Sequence, residues 1–220
     1  MKTVAITGRS GCGKSTVTTL LAKELARMGK KVLVVDSDES NFGLHRQLGV
    51  ELPRDFTEYF GSPCLPALAA AFGADILDEA GRLRRGLLAR RAFATKEDAR
   101  RLTDITHPEI VRRLLAGVAK AKAAGAALVF VDGAVIVGAP FEPFCDAIIV
   151  VRAPQHVLEQ RIVQRDGVSL AAARARLGSQ LAQEKLDAAA TYILENKESE
   201  QALLAQAQTV LENLLKEGMT

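Results

Sequence analysis

The chain has 220 residues and a mass of 23.6 kDa, with 48% hydrophobic and 25% charged residues, which supports one main core and excludes a disordered or collagen-like polymer. Lys and Arg number 29 against 26 Asp and Glu, a net charge of +3, too even a balance to demand a nucleic-acid or membrane partner. Cys12, Cys64 and Cys145 are far apart, which argues against a disulfide framework or a C-x-x-C site, and without an apolar run of about eighteen residues or a leader-like start the expected setting is the cytoplasm.

Residues 2–7 contain Val4 and Ile6 and run into glycine-rich sequence, and residues 31–36 repeat the pattern with Val32, Leu33, Val34 and Val35. Both are expected as buried parallel strands. Between them Val17, Leu20, Leu21, Leu25 and Met28 recur at helical spacing, and Gly29 stands where a helix stops, completing a strand–helix–strand unit. The interval 37–126 is long for one crossover and holds helical patterns near 65–72 and 110–121, so a helical insertion over about 39–125 is expected beside the sheet. Further strands are expected at 127–132 and 147–151, and a weaker one at 191–194. Strands separated by helices imply an α/β fold with a parallel sheet covered on both faces, one domain over 1–220. The last helix is capped by Ser199 and carries one apolar stripe, Leu203, Ala207, Val210, Leu211 and Leu214.

The sequence Gly8-Arg9-Ser10-Gly11-Cys12-Gly13-Lys14-Ser15 matches G-x-x-x-x-G-K-[ST] directly after a predicted strand and directly before a predicted helix. Phosphates need converging backbone N–H groups, which glycines at positive φ and a helix N-terminus provide. Gly8, Ser10, Gly11, Cys12, Gly13, Lys14, Ser15 and Thr16 are therefore the expected ATP-binding residues, with Lys14 on the β and γ phosphates and the Ser15 hydroxyl on Mg²⁺. Asp36 and Asp38 end the second strand on the same sheet edge, where one accepts a proton or holds metal-bound water. Asp132 closes the third strand and is a candidate for indirect Mg²⁺ contact. A lone aspartate at such a place is equally well a turn or helix cap.

The charge is unevenly spread. From Arg82 to Arg113 stand nine arginines and Lys96 against Glu97, Asp98, Asp104 and Glu109, a local excess of six positive charges. Such a stretch either grips phosphates bidentately or forms a solvated helix face.

Several segments resemble dephospho-CoA kinase. They are Pro63-Cys64-Leu65-Pro66-Ala67-Leu68, Phe72-Gly73-Ala74-Asp75-Ile76-Leu77-Asp78 with Gly81-Arg82-Leu83, then Phe93 and Ile105-Thr106-His107-Pro108-Glu109-Ile110. Cys145-Asp146, Ala153-Pro154, Gln160-Arg161 with Arg165-Asp166-Gly167, and Tyr192-Ile193-Leu194-Glu195-Asn196 continue the pattern, which with the phosphate loop spans roughly three quarters of the chain. The resemblance implies a P-loop kinase fold with a five-stranded parallel sheet in the order 2-3-1-4-5, and transfer of the ATP γ-phosphate to the 3′-hydroxyl of dephospho-CoA. It implies a lid over about 158–186 that carries Arg161 and Arg165 to the transferring phosphate, and it makes Asp38 the base. Asn196, in the turn after strand five, is expected near the nucleobase, and the Arg82–Arg113 stretch near the substrate's pyrophosphate. His107-Pro108 is read as shaping a helix start.

Residues 21–61 depart from that family. Asp36-Ser37-Asp38 is followed by Glu39-Ser40-Asn41-Phe42-Gly43-Leu44, and Phe42 falls where the family's Arg would be. This segment instead resembles MinD-type dimeric ATPases, especially the nickel-insertion ATPases, although their loop lysine is replaced by Arg9 and their C-x-C pair is absent. The mosaic suggests a recombined or engineered chain whose sheet survives and whose acceptor site is endangered. Its alternatives to a kinase are a nucleotide-binding scaffold with little turnover or a dimeric regulatory ATPase, and a monomer or weak homo-oligomer is expected.

Overall fold

The structure, a computed structural model, describes residues 1–37, 43–51 and 63–216. By its own contacts the chain divides into two compact units, Met1–Glu51 with Val118–Thr220 and Leu52–Gly117.

The first unit is built on five parallel strands: β1 (Lys2–Thr7), β2 (Val32–Asp36), β3 (Leu128–Asp132), β4 (Ala147–Arg152) and β5 (Tyr192–Glu195), in the spatial order β2-β3-β1-β4-β5. Val4, Ala5 and Ile6 of β1, Val129 and Phe130 of β3, and Ile149, Val150 and Val151 of β4 are fully buried, because inner parallel strands are covered on both faces. Each fully buried Val, Ile or Phe side chain contributes roughly 1.5–3 kcal/mol. β2, expected as a buried strand, is half-exposed along its length; it is an edge strand, with a ladder to β3 alone. β5 is the other edge and only four residues long, which explains its faint pattern in sequence.

Helix α1 (Lys14–Arg27) buries Val17, Leu21 and Leu25, and it ends as expected at Gly29, whose φ is +69°. The Gly29 N–H donates to Ala26 O and the Lys30 N–H to Leu25 O, the paired bonds of a glycine C-cap. A short helix α2 (Leu44–Leu48) follows β2. After β4 come α6 (Gln155–Asp166), α7 (Leu170–Ser179) and α8 (Gln183–Ala189), and α9 (Glu200–Lys216) closes the unit. In α9 the Ser199 hydroxyl accepts from the Ala202 N–H at 3.2 Å and the expected stripe is buried.

The second unit contains α3 (Leu65–Phe72), α4 (Arg85–Ala92) and most of α5 (Lys96–Ala123). Cys64, Leu68, Phe72, Ile76, Leu88 and Ala92 form its core. His107-Pro108 does not start a helix: Pro108 lies inside α5. The missing proline N–H removes one intrahelical bond, but the helix is nucleated further upstream, where Thr95 accepts from the Asp98 N–H at 3.0 Å and Glu97 and Asp98 occupy the first turn. Among the described residues no helix is long and apolar enough to cross a membrane.

Candidate active site

The residues between β1 and α1 form a loop held by backbone geometry that only glycine tolerates well. Gly8 has φ +149°, and a Cβ there would lie 2.2 Å from the Val151 carbonyl oxygen at the end of β4. Gly13 has φ +99° and occupies the N-cap of α1 without a side-chain cap. The first N–H groups of α1 are thus left for a ligand, and the partial positive charge of the helix end favours an anion. Lys14 and Ser15 are 6% and 8% exposed, held at the first turn of α1, where Lys14 O also accepts from Thr18 Oγ1 at 3.1 Å.

A cleft of about 600 Å³ opens over this loop. Of the residues expected from sequence, Ser10, Gly11, Gly13, Lys14, Ser15, Thr16, Arg161, Arg165 and Asn196 line it. Gly8 and Cys12 lie beneath the surface instead: Cys12 is fully buried, and burial pushes its thiol above the ordinary value, partly offset by the Lys14 ammonium. Cys12 contributes backbone, not chemistry.

Asp132 is fully buried at the end of β3, in register with Ile6 of β1 and Asp36 of β2. Ser37, just past Asp36, is anchored there: its N–H and its Oγ–H both donate to Asp132 O, at 2.8 and 2.9 Å. Two of the three residues expected at strand ends, Asp36 and Asp132, are therefore partners across one ladder. Asp38 lies outside the described residues.

The two arginines of α6 are placed differently from each other. Arg161 Nη1 donates to Gly11 O at 3.2 Å and Nη2 to Asn196 Oδ1 at 3.4 Å, while Asn196 Nδ2 donates to Cys12 O at 2.8 Å. Arg165 makes two bonds to its neighbour Asp166, at 2.7 and 3.0 Å. Arg165 and then Arg176 hold the Asp166 carboxyl below the usual carboxylate range.

Sequence reasoning missed two residues beside the loop and its cleft. Gln180 clamps Ser10, accepting from its N–H at 2.9 Å through Oε1 and donating to its Oγ at 2.8 Å through Nε2. Gln47 of α2 lines the cleft and accepts from Thr19 Oγ1 at 3.2 Å. Neither sits in a motif, and only the fold brings residues 180 and 10 together.

In the second unit the arginine-rich stretch is largely ion-paired. Arg91 forks onto Asp75 at 2.6 and 2.7 Å. Arg82 meets Asp78, Arg101 meets Glu97 and Asp98, and Arg112 and Arg113 share Glu109. The two guanidinium groups hold the Glu109 carboxyl down at about 2.

A model of the family described as dephospho-CoA kinase matches residues 2–202. The dephospho-CoA kinase of Anaeromyxobacter dehalogenans (strain 2CP-C) is 34% identical over 214 residues, 97% of this chain and 92% of that one. The solved dephospho-CoA kinase from Campylobacter jejuni has the same fold, with a TM-score of 0.63 at 21% identity and 98% of both chains covered. A shorter likeness, 60% identical over 58 residues, joins 26% of this chain to 23% of an uncharacterized ATP-binding protein of Methanocaldococcus jannaschii.

These matches correct the expectation of a mosaic. The family match spans residues 2–202, a range that includes 21–61, and a dephospho-CoA kinase aligns with 97% of this chain, so no second parent is needed. Arg9, at the position of the MinD-type lysine that acts across a dimer, is engaged within its own chain, its Nη2 donating to Leu177 O at 2.7 Å. By the match from residue 2 to residue 202 and the relative aligned over nearly its whole length, the chain belongs to the dephospho-CoA kinase family.

Proposed function

We propose that this dephospho-CoA kinase binds ATP on residues 8–16 and transfers the γ-phosphate to the ribose 3′-hydroxyl of dephospho-CoA, with Lys14, Arg161 and Arg165 neutralising charge and Asp38 accepting the hydroxyl proton. The observation that carries the reading is the uncapped start of α1 beside the buried Lys14, in a cleft lined by the loop, the α6 arginines and Asn196. Charge that spreads over the phosphoryl oxygens in the transition state is stabilised by fixed donors, and phosphoryl transfer needs little else from the protein besides alignment.

The loop's N–H groups and Lys14 hold the triphosphate. Arg161, half-buried and already fixed on Gly11 O, has little conformational entropy left to lose when a phosphate arrives. Arg165 trades part of its bond with Asp166 for a phosphoryl oxygen. The region of about 158–186 acts as the lid that keeps water from competing with the acceptor, and Arg9 and Ser10 tie the loop to it through Leu177 O and Gln180. The arginine-rich residues of the 39–125 insertion bind the acceptor's pyrophosphate.

The donors present also suit Mg²⁺. Ser15 offers a hydroxyl on the cleft, and Asp36 and Asp132 offer carboxylates at adjoining strand ends. No group of three metal-ligating His, Cys, Asp or Glu side chains occurs among the described residues. Few hard oxygen donors and no closed cage suit an ion that arrives on substrate phosphates. When bound, it would neutralise phosphate oxygens, with Ser15 as direct donor and Asp36 and Asp132 holding its water.

Coupled measurement of ADP release, with ATP alone and with ATP plus dephospho-CoA, tests the reading. A rate that rises strongly with dephospho-CoA is expected. ADP release of the same rate without acceptor would mark a free-standing ATPase, and ATP binding without any release would mark a scaffold.

A further inference from the structure

Asn196 stands one residue past β5, half-buried, with one N–H of its side-chain amide on the phosphate loop and its carbonyl oxygen on Arg161. Its Nδ2 donates to Cys12 O at 2.8 Å and its Oδ1 accepts from Arg161 Nη2 at 3.4 Å, while Arg161 Nη1 reaches Gly11 O at 3.2 Å. Two consecutive loop carbonyls are thereby held by two side chains that also hold each other. The contact depends on the glycine beside it, because a Cβ on Gly13 would lie 2.3 Å from Asn196 Nδ2.

This arrangement has a consequence for the ligand side of the loop. In a planar trans peptide the carbonyl and the N–H of the next residue point in opposite directions, and no cis peptide interrupts the described chain. Fixing Cys12 O on Asn196 therefore turns the Gly13 N–H away from Asn196. Reading an adenine edge asks an asparagine for both its acceptor and its donor at once. Here one N–H and one lone pair of that amide already serve the protein, and the two bonds fix its orientation on Cys12 O and Arg161.

We propose that Asn196 is a positioning residue for the triphosphate, acting through the Cys12–Gly13 peptide and not through the nucleobase. The proposal rests on the reading that residues 8–16 bind the triphosphate, and it gives Asn196 a role on the loop where the sequence led to the expectation of a place near the nucleobase. Arg161 holds the preceding carbonyl, Gly11 O, beside Asn196, so its position serves the loop before it serves the transferring phosphate.

The test uses the full chain and calorimetry with ATP, GTP and inorganic tripolyphosphate, which has no base, each with Mg²⁺. Asn196→Ala removes both bonds; Asn196→Asp keeps the size and the acceptor for Arg161 but has no donor for Cys12 O. Both variants are expected to bind ATP and tripolyphosphate more weakly by the same factor, about three- to tenfold for one lost donor, with the ATP-to-GTP ratio and the KM for dephospho-CoA unchanged. Thermal unfolding identifies a variant that has lost its fold, and the volume-conserving Asp variant then carries the comparison alone. Variants that bind tripolyphosphate like the parent, or that change the ATP-to-GTP ratio, overturn the proposal. A parent chain that binds ATP but not tripolyphosphate also overturns it, whereas one that binds neither removes the phosphate-loop reading itself.

Discussion

At the phosphate loop, ligand binding is prepared by backbone: Gly8 pressed against Val151 O, Gly13 at an uncapped helix start, and carbonyls tied by Asn196 and Arg161. In the helical unit the charges are carried by side chains, and Arg82, Arg91, Arg101, Arg112 and Arg113 already meet carboxylates of their own unit. A backbone nest has its dipoles fixed before the ligand arrives and loses little entropy on binding. A paired surface arginine must first surrender a partner of modest value. The difference teaches that a count of positive charges locates a phosphate site less well than a short run of glycines in the right place.

The largest effect that separates the two regions is expected on chemistry. Asp38→Asn leaves ATP affinity nearly intact and lowers phosphoryl transfer by about 10²–10⁴-fold, the usual contribution of a general base. Transfer at the parent rate would take the role from Asp38. Next comes Lys14→Ala, which removes charge-assisted contacts worth roughly 1.5–3 kcal/mol each and weakens ATP binding at least about tenfold by calorimetry. Unchanged affinity would break the assignment of the loop.

Gly8→Ala sharpens the claim that backbone prepares the site. Its Cβ would press on the Val151 carbonyl at 2.2 Å, with φ at +149°, and overpacking with strain costs about 2–4 kcal/mol. A lowered unfolding midpoint is expected, and a variant as stable as the parent would contradict the observed loop. In the other region, Arg100, which shares a shallow surface cleft with Lys96, Glu97, Arg101 and Asp104, probes substrate contact. Arg100→Ala is expected to raise the KM for dephospho-CoA about three- to tenfold without changing that for ATP. An unchanged KM would mark this face as solvated only.

How much of this was legible in sequence follows from the same contrast. Residues 8–15 announce themselves because the chemistry needs fixed residue types at fixed spacing, and the inner strands announce themselves as apolar runs. β2 misled, since Val32, Leu33, Val34 and Val35 read alike on an edge and in a sheet interior. Pro108 misled because proline discourages but does not forbid the middle of a helix long enough to absorb one lost bond. Gln180 and the loop-bracing role of Asn196 were invisible, since they arise from partners 170 and 184 residues away in sequence. Which arginines meet carboxylates could not be told without coordinates.

The smallest effect concerns Glu109. Arg112 and Arg113 lower its carboxyl from 4.5 to about 2 in the folded chain, so the stabilisation is fully present above pH 4.5 and is lost as pH falls toward 2. Unfolding midpoints of Glu109→Gln should be displaced from the parent above that window and approach it within the window as pH falls. A difference that does not depend on pH there would remove the ion-pair account.

The central claim is that the loop cleft delivers phosphate to dephospho-CoA, and following the γ-phosphate itself tests it most directly. With γ-labelled ATP, the label is expected on the ribose 3′-oxygen of the product, in step with ADP and only when dephospho-CoA is present. Label released as inorganic phosphate at a rate indifferent to dephospho-CoA would contradict it.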